Sequence, residues 1–299
     1  MPATLGKSTQ RPLQADTTGD EVQRSVMDLL SQTCQRIEHG FQLGSAEQDE
    51  VVHQTRVDMK RLRALWYLVR PGLNKASVKK LHSSARDVAG ALSGQRDHAV
   101  MLETLDSLAI ELPEAGYRDM VAMLGEQFQP ADNRTVPLDE ALVLLDQLQT
   151  EVESVDWPLL KRDHLRQGLI RTGVKGEDLG RLALQQSDVE ALHRWRKWVK
   201  TWMYQLNWLQ PEVDKRWMLR LKPLGSALGR IHDLDVLVDA LRPLETQVPQ
   251  TLSRAIIEER EALLEQVSAD AQQVYAKRAR RRARKVFRRW YRVRSNISQ

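Results

Sequence analysis

Two segments of the sequence carry histidine, arginine and lysine at spacings that place them on one side of a helix. The two sets are His53, Arg56, Lys60 and Arg63, and then His193, Arg196, Lys197 and Lys200. At about 100° per residue, each set falls within about 80° of its histidine. Arginine donates paired hydrogen bonds to anionic oxygen atoms, and lysine supplies a compact charge. These first and second cationic stripes therefore predict surfaces that bind a polyanion.

The opposite sides of the same two segments are apolar. Leucine, methionine, valine and tryptophan occupy these positions, as in a helix that packs into a bundle. The apolar residues are Met59, Leu62, Leu65, Trp66 and Val69 in the first segment, and Trp195, Trp198, Trp202, Leu206 and Leu209 in the second. Because the three tryptophans lie opposite the cations, they are interpreted as core residues rather than as a platform for stacked nucleobases.

Acidic residues are almost absent from both segments. Asp58 is the only acid between His53 and Arg70, and none occurs between Ala191 and Pro211. Solvated helix surfaces normally mix charges of both signs, since like charges one turn apart repel each other. An unneutralised stripe that occurs twice favours an anion-binding surface over an ordinary solvated face.

The two segments belong to an internal repeat. His53, Arg56, Lys60 and Pro71 recur 140 positions later as His193, Arg196, Lys200 and Pro211. After a four-residue shortening the register resumes at an offset of 136, where Arg86 corresponds to Lys222 and Asp97 to Asp233. We therefore expect two related halves, each a helical bundle of about four to six helices, packed about a pseudo-twofold axis.

The chain is predicted to be helical from residue 22 onward, and residues 1–20 to be a mobile polar tail. Apolar residues recur at helical spacing, glycine and proline separate the segments, and no segment alternates at period two. The predicted helices span 22–38, 48–69, 75–91, 97–112, 117–128, 138–155, 159–171, 177–184, 188–209, 211–228, 233–241 and, with a break, 252–294. The expected fold class is all-α.

Composition excludes several classes of protein, including disordered and membrane-spanning chains. The 299 residues are 41% hydrophobic and 28% charged, which predicts a folded chain rather than a disordered one. No apolar run approaches the 18 or so residues of a membrane span, and the N-terminus does not resemble a signal peptide, so we expect a cytoplasmic protein. The single Cys34 excludes an internal disulfide and a cysteine-rich zinc site.

Positive charge is concentrated at the C-terminal end. The net charge is +5, but eleven Lys and Arg lie between Lys277 and Arg294, and no acid follows Asp270, so residues 1–276 carry a net charge of −6. Apolar residues recur every three to four positions in this segment, which is typical of a final bundle helix. Its charge density is equally typical of a second polyanion-binding surface, and both interpretations stay open.

The two striped segments, taken as sequence motifs, resemble a known family. VHQTRVDMKRLRALWYLV at 52–69 and LHRWRKWVKTWMYQLNWL at 192–209 look like the two signature helices of the CHAD domain, the conserved histidine α-helical domain. The segments ALSGQRDHAV at 91–100 and ALGRIHDLDVL at 227–237 resemble the helix starts that follow those signatures. The resemblance extends from about Asp20 to Arg294.

This resemblance implies two four-helix bundles related by pseudo-twofold symmetry around a basic central channel, and binding of inorganic polyphosphate. The domain would span 21–299, with a first half at about 21–155 and a second half at about 156–294. The glutamates of an attached triphosphate-tunnel domain are absent, so the chain resembles a stand-alone member. We expect it to associate with polyphosphate granules and their proteins, with no membrane partner.

The resemblance also implies which residues bind polyphosphate. Carried over by position, they are His53, Arg56, Lys60, Arg61 and Arg63 in the first half, and His193, Arg196, Lys197 and Lys200 in the second. Arg86 and Lys222 are secondary candidates. GLIRTGVKG at 168–176 resembles the basic linker of the family and adds Arg171 and Lys175, although Gly173 replaces a tyrosine that is common there.

Two other functions remain open. The same cations would bind DNA or RNA phosphates without sequence specificity, although the stripes lack the Asn and Gln side chains that read base edges. The His232–Asp233 pair resembles the metal-binding pair of phosphohydrolases, which would make the chain an enzyme or regulator of polyphosphate metabolism. Because the repeat counterpart of His232 is Arg96, Asp97 and Asp233 are assigned to helix starts or salt bridges. No catalytic residue, metal or cofactor is expected.

Overall fold

The computed structural model describes residues 16–92, 96–108, 114–127, 137–186, 188–209 and 215–297. Within these ranges the chain forms α-helices and two short 3-10 helices, at Trp157–Leu159 and Arg242–Gln247, and no strand. The α-helices are α1 (Thr18–Gly40), α2 (Ser45–Val69), α3 (Lys75–Ala91), α4 (Arg96–Leu108), α5 (Glu114–Gln127), α6 (Leu138–Glu153), α7 (Arg162–Gln186), α8 (Val189–Trp208), α9 (Lys215–Leu241), α10 (Gln250–Tyr275) and α11 (Ala279–Ile297). The predicted all-α class is confirmed.

Helix α1 begins four residues before its predicted start. The Asp16 carboxylate accepts hydrogen bonds from the Thr18 backbone N–H at 3.1 Å and from the Arg162 backbone N–H at 3.2 Å, which ties this end of the chain to α7. Thr18 and Gly19 are buried. Residues 18–20, which the sequence places in the polar tail, are therefore the first turn of a packed helix, and residues 1–15 lie outside the described part.

Helix α7 is continuous where the sequence predicts two helices joined by a basic linker at 168–176, so that prediction is wrong. A Cβ atom on Gly173 would lie 2.4 Å from Cζ2 of Trp202, and one on Gly168 would lie 1.9 Å from the carbonyl oxygen of Leu68. These glycines let α7 approach α8 and α2 closely. Glycine in a sequence resembles a helix break when its reason is tertiary packing.

Helix α9 is also continuous, although the sequence predicts a break between residues 228 and 233. It contains Pro223 and extends from Lys215 to Leu241, so Asp233 lies in its interior and the helix-start role predicted for that residue is wrong. The side chain of Asp97 lies outside the described residues. The predicted break in the last segment is confirmed, because α10 ends at Tyr275 and α11 begins at Ala279.

The helices pack around one large core. α1, α2, α3 and α6 form a closed circuit in which each helix contacts the next. α8 packs against α7 and α9, α11 packs on α7, and α10 packs on α9, while α2 contacts both α7 and α8. The largest fully buried side chains in this core are tryptophans, namely Trp66, Trp157, Trp195, Trp202 and Trp217. Contact between α2 and α8 brings the two striped helices together.

A smaller core joins α4 and α5 to the ends of α9 and α10. Leu105, Leu124, Leu237 and Ile256 are buried in it. Two ion pairs hold α9 to α10 beside this core, Arg230 Nε to Glu259 Oε1 at 2.6 Å and Arg260 Nε to Asp235 Oδ1 at 3.0 Å. No helix in the described ranges combines the length and the apolarity needed to cross a bilayer.

Candidate anion-binding site

A pocket of about 650 Å³ lies between α2 and α8. Its walls are formed by His53, Val57, Lys60, Arg63, Ala64 and Tyr67 of α2, and by His193, Arg196, Lys197, Lys200, Thr201 and Tyr204 of α8. Seven of these twelve side chains are His, Lys or Arg, and none is acidic. The two cationic stripes, which lie 140 positions apart in the sequence, therefore face one common space, the α2/α8 pocket.

The buried side-chain amide of Gln205 joins the two walls of the pocket by a hydrogen bond. Nε2 of Gln205 donates to the carbonyl oxygen of Ala64 at 2.9 Å and to Oγ1 of Thr172 at 3.0 Å. These bonds join α8 to α2 and α7. Sequence reasoning missed Gln205, because one glutamine on an apolar helix face carries no sign of its distant partners.

The ring of Trp198 on α8 also packs against Tyr67 of α2. Its centroid lies 4.9 Å from that of Tyr67, and the side chain is half-buried. Trp195 and Trp202 are fully buried, as predicted. The three tryptophans thus pack against protein, and within the described residues of the pocket wall tyrosine and histidine are the aromatic-ring side chains.

Two predicted site residues of α2 do not line the pocket. Arg61 donates from Nη1 to Oδ1 of Asp58 at 2.8 Å, and Arg36 donates from Nη1 to Oδ2 of the same carboxylate at 2.6 Å. Asp58 is fully buried, so two cations neutralise it there. Arg56 is half-buried on α2 and is also absent from the pocket wall.

The other four predicted binding residues lie outside the pocket wall. Arg171 and Lys175 are exposed on α7, and Lys222 is exposed on α9; none of them lines the pocket. Arg86 on α3 does not line it either, but its charge lowers the pKa of Lys197. Arg86 therefore contributes to the potential of the α2/α8 pocket without forming its wall.

Positive charges from several helices act on one another in the pocket. The pKa of Lys197 is lowered by partial burial and then by Arg63 and Arg86, which belong to other helices. The pKa of Lys200 is lowered by burial and by Arg196, with Asp233 acting in the opposite direction. Burial and like charges both disfavour an ammonium group, and an anion in the pocket would relieve both effects.

His193 of the pocket wall is held toward its neutral form. Partial burial, followed by the charges of Arg196 and Lys197, lowers the pKa of His193. Nδ1 of His193 lies 3.3 Å from Nδ1 of His232. His82, which the sequence does not place at the site, lies behind Tyr67 with ring centroids 4.4 Å apart, and burial together with Arg63, Arg70 and Lys197 lowers its pKa to about 4.

Two guanidinium N–H groups in the pocket wall have unmet hydrogen-bonding capacity. Nε of Arg63 and Nε of Arg196 are buried, and neither has a hydrogen-bond partner among the described residues. A buried donor left unsatisfied costs about 1–3 kcal/mol, and more when it is charged. One of these buried donors belongs to each stripe, and both arginines line the α2/α8 pocket.

The His232–Asp233 pair lies beside this site without lining the pocket. His232 contacts His193, and the pKa of Asp233 is raised by burial against the opposing effects of Arg196, Arg230 and Lys200. In the described part of the chain, no three His, Cys, Asp or Glu side chains are grouped so that they could hold a metal ion.

Comparison with known proteins places the chain in a family. The family model of the CHAD domain matches residues 29–242, which include both cationic stripes and the whole α2/α8 pocket. No curated protein matches the chain. No solved structure matches it either. Because the family model covers more than two thirds of the sequence, this chain belongs to the CHAD domain family.

Proposed function

We propose that this chain binds inorganic polyphosphate in the α2/α8 pocket. The observation that carries the proposal is the convergence of seven cationic or histidine side chains from two helices on a pocket wall without an acid. CHAD domains are associated with polyphosphate-related roles, which agrees with this chemistry.

A linear phosphate polymer suits the two facing stripes. Its negative charges repeat along the chain, so Lys60 and Lys200 can act on successive phosphates as point charges while Arg63 and Arg196 donate to their oxygen atoms. The pocket walls are protein rather than water, which strengthens the positive potential between them. Polyphosphate carries no bases, so it needs no stacking platform.

We further propose that the pocket is part of a basic central channel between two halves related by a pseudo-twofold axis. The facing arrangement of α2 and α8, which carry the repeated His, Arg and Lys, supports this symmetry. The repeat is imperfect at the pocket itself, because Lys197 corresponds to Val57 and Arg63 corresponds to Met203 at the offset of 140. In this proposal, the two halves contact a bound chain unequally.

The proposed role is binding without turnover, as a module that associates with polyphosphate granules in the cytoplasm. The pocket wall offers cations and hydroxyl groups suited to holding phosphates. Long polyphosphate incubated with the protein should keep its length on a gel, and release of orthophosphate would contradict the binding role. Co-localisation of the tagged chain with stained granules tests the association, and a uniform distribution would contradict it.

Titration of labelled long-chain polyphosphate tests the site. In the pocket variant, Arg63, Arg196 and Lys200 are replaced by Gln. In a matched control, the exposed cations Lys79, Arg194 and Arg242 are replaced by Gln, which gives the same change in net charge.

We expect the pocket variant to bind at least about 100-fold more weakly and the control within about threefold of the wild type, because charge-assisted hydrogen bonds contribute about 1.5–3 kcal/mol each. Equal losses in the two variants would reject the pocket. Duplex DNA that displaced polyphosphate from the wild type at 0.15 M salt would favour nucleic acid as the ligand of this pocket.

A further inference from the structure

The densest positive surface outside the α2/α8 pocket lies on α11. A groove of about 520 Å³ is lined there by Lys277 and by Arg281, Arg282, Lys285, Arg288, Arg289 and Arg292. No acid lines this α11 groove, and it shares no residue with the α2/α8 pocket. It also lies beyond residue 242, where the match to the family model ends.

Packing fixes the direction in which these charges point. At about 100° per residue, Arg281, Lys285, Arg288 and Arg292 lie within a sector of about 60°. The opposite side of α11 is buried, with Ala283, Val286, Phe287 and Trp290 in the main core. The helix cannot rotate its charged face inward without exposing that core. The charged face is therefore held toward solvent in one orientation.

A hydrogen bond to α7 also fixes the N-terminal end of α11. Oε2 of Glu177 on α7 accepts a hydrogen bond from the backbone N–H of Ala279 at 2.8 Å. Farther along, the guanidinium group of Arg282 lies 5.8 Å from the ring centroid of Trp217. These contacts anchor α11 at its buried edge, while Arg281, Lys285, Arg288 and Arg292 are exposed.

The composition and length of the groove match a phosphate backbone. Five of its seven cations are arginines, whose guanidinium forks fit phosphate oxygens. The eleven residue-to-residue steps from Arg281 to Arg292 correspond to about 16 Å of helix at 1.5 Å per residue. The phosphates of one DNA strand recur every 3.4 Å along the duplex axis, so roughly five of them fall within this length. A regular duplex can thus meet the exposed row of cations without bending.

Other polyanionic surfaces fit the groove less well. An interfacial membrane helix buries its apolar face in lipid, but the apolar face of α11 already lies in the protein core. Single strands are held by stacking on exposed aromatic rings. Phe287 and Trp290 are buried. Tyr291 is 41% exposed, but it does not line the groove, and the guanidinium group of Arg162 lies 4.2 Å from its ring centroid.

We propose that α11 binds the phosphate backbone of a nucleic-acid duplex independently of base sequence. The exposed cations form one row along a single helix face, which suits contacts to the phosphate backbone, and such contacts carry no sequence information. This surface acts separately from the α2/α8 pocket. The chain would thus carry two polyanion-binding surfaces of different shape, one between helices and one along a helix.

The test uses the full chain and a labelled 24-base-pair DNA duplex in 50 mM salt. In the groove variant, Arg281, Lys285, Arg288 and Arg292 are replaced by Gln. In the matched control, the exposed cations Lys79, Arg194, Arg242 and Arg254 are replaced by Gln, with the same change in net charge. Substitution is preferred to deletion, because α11 carries the core residues Val286 and Trp290, and removing it would expose the apolar side chains that pack against them.

We expect the groove variant to bind the duplex at least about 30-fold more weakly and the control within about threefold of the wild type. The magnitude of the slope of log affinity against log salt should fall by about 3.6 in the groove variant, since each of the four lost phosphate contacts removes about 0.9. Its polyphosphate affinity should stay within about threefold of the wild type, as should the duplex affinity of the pocket variant.

Three results would overturn the proposal. The groove variant could bind the duplex as well as the control does, or it could lose polyphosphate affinity as strongly as duplex affinity. The wild type could bind vesicles of phosphatidylcholine and phosphatidylserine more tightly than the duplex. If circular dichroism shows that the fourfold variant is unfolded, the single variants Arg281→Glu and Arg288→Glu are used, and each is expected to weaken duplex binding at least about fivefold.

Discussion

The side chain of Gln205 on α8 donates a 2.9 Å hydrogen bond to the backbone carbonyl oxygen of Ala64 on α2. Ala64 itself lines the α2/α8 pocket, and Gln205 also donates to Thr172 of α7. This buried amide thus links α8 to α2 directly beside the pocket, in addition to the contact of Trp198 with Tyr67. The relative positions of the two cationic stripes depend on these contacts.

Replacing Gln205 with Leu should lower the free energy of unfolding by about 1–3 kcal/mol, because the buried acceptors on Ala64 and Thr172 lose their donor. Urea unfolding followed by circular dichroism measures the change. Gln266→Leu, at an exposed position of α10, is the control. If both variants unfolded at the same urea concentration, the fastening role of Gln205 would be refuted.

Replacing Gly168 with Ala should lower the free energy of unfolding by about 3 kcal/mol or more, or prevent folding. The new Cβ would lie 1.9 Å from the carbonyl oxygen of Leu68, a backbone atom that only a shift of α2 or α7 could move. Gly90→Ala is the control, because a Cβ on Gly90 would meet nothing within 4 Å. This substitution should raise the free energy of unfolding by about 0.5–1 kcal/mol. Thermal and urea unfolding compare the variants, and similar stabilities would contradict the close crossing of α7 and α2.

Replacing Arg196 with Gln should weaken polyphosphate binding about 10- to 100-fold, because one charge-assisted contact in the pocket is lost. Arg194→Gln on the same helix is the control. Its guanidinium group is exposed and lies 3.7 Å from Glu190, outside the pocket wall. Calorimetric titration measures both affinities. A larger loss from the Arg194 substitution would place the ligand on another face of α8.

Polyphosphate affinity should rise as the pH falls from about 7 toward 5. Burial and then the charges of Arg196 and Lys197 lower the pKa of His193 in the free protein, so the imidazole is largely neutral at pH 7. A bound polyanion favours the protonated form and raises this pKa, so binding takes up a proton in that pH range. The His193→Gln variant should show a flatter pH profile, and an unchanged profile would exclude His193 from the linkage.

Stability should fall as the pH decreases from 6.5 to 4, in part because of His82. Its pKa is about 4 in the folded chain, below the ordinary value of 6.5, so the unfolded chain binds the proton first. The lowered pKa of His82 therefore leaves the free energy of unfolding unchanged above pH 6.5 and reduces it as the pH falls from 6.5 toward 4. His82→Phe keeps a ring against Tyr67 and should lose less stability over that interval than wild type.

Urea unfolding at several pH values measures the His82 effect. His39→Phe, at an exposed position of α1, provides the matched control and should follow the wild-type pH dependence. Parallel curves for the wild type and His82→Phe would show that protonation of His82 does not drive the acid destabilisation.

Local periodicity in the sequence was enough to predict the all-α class and the two cationic stripes. The angle between two side chains on one helix depends only on their spacing, so His193, Arg196 and Lys200 must share a side wherever α8 lies. The same spacing placed Trp195 and Trp202 on the opposite side, where the structure buries them. The relative directions of side chains on one helix therefore follow from the sequence alone.

Relations between helices were decided only by tertiary packing. Gly173 resembles a helix break in the sequence, but it allows α7 to pack closely against Trp202 of α8. Arg61 resembles its neighbours on α2, but its guanidinium group is bound to the buried Asp58. Both outcomes depend on partners that the spacing of residues along one helix does not reveal.

The common pocket itself is the clearest case. Spacing predicts two stripes but does not say whether they face each other, since each could point to solvent on a separate helix. The angle at which α2 meets α8 is set by buried contacts such as that of Gln205 with Ala64, whose residues lie 141 positions apart. Only the packing of these distant segments brings Arg63 and Arg196 to opposite walls of one pocket.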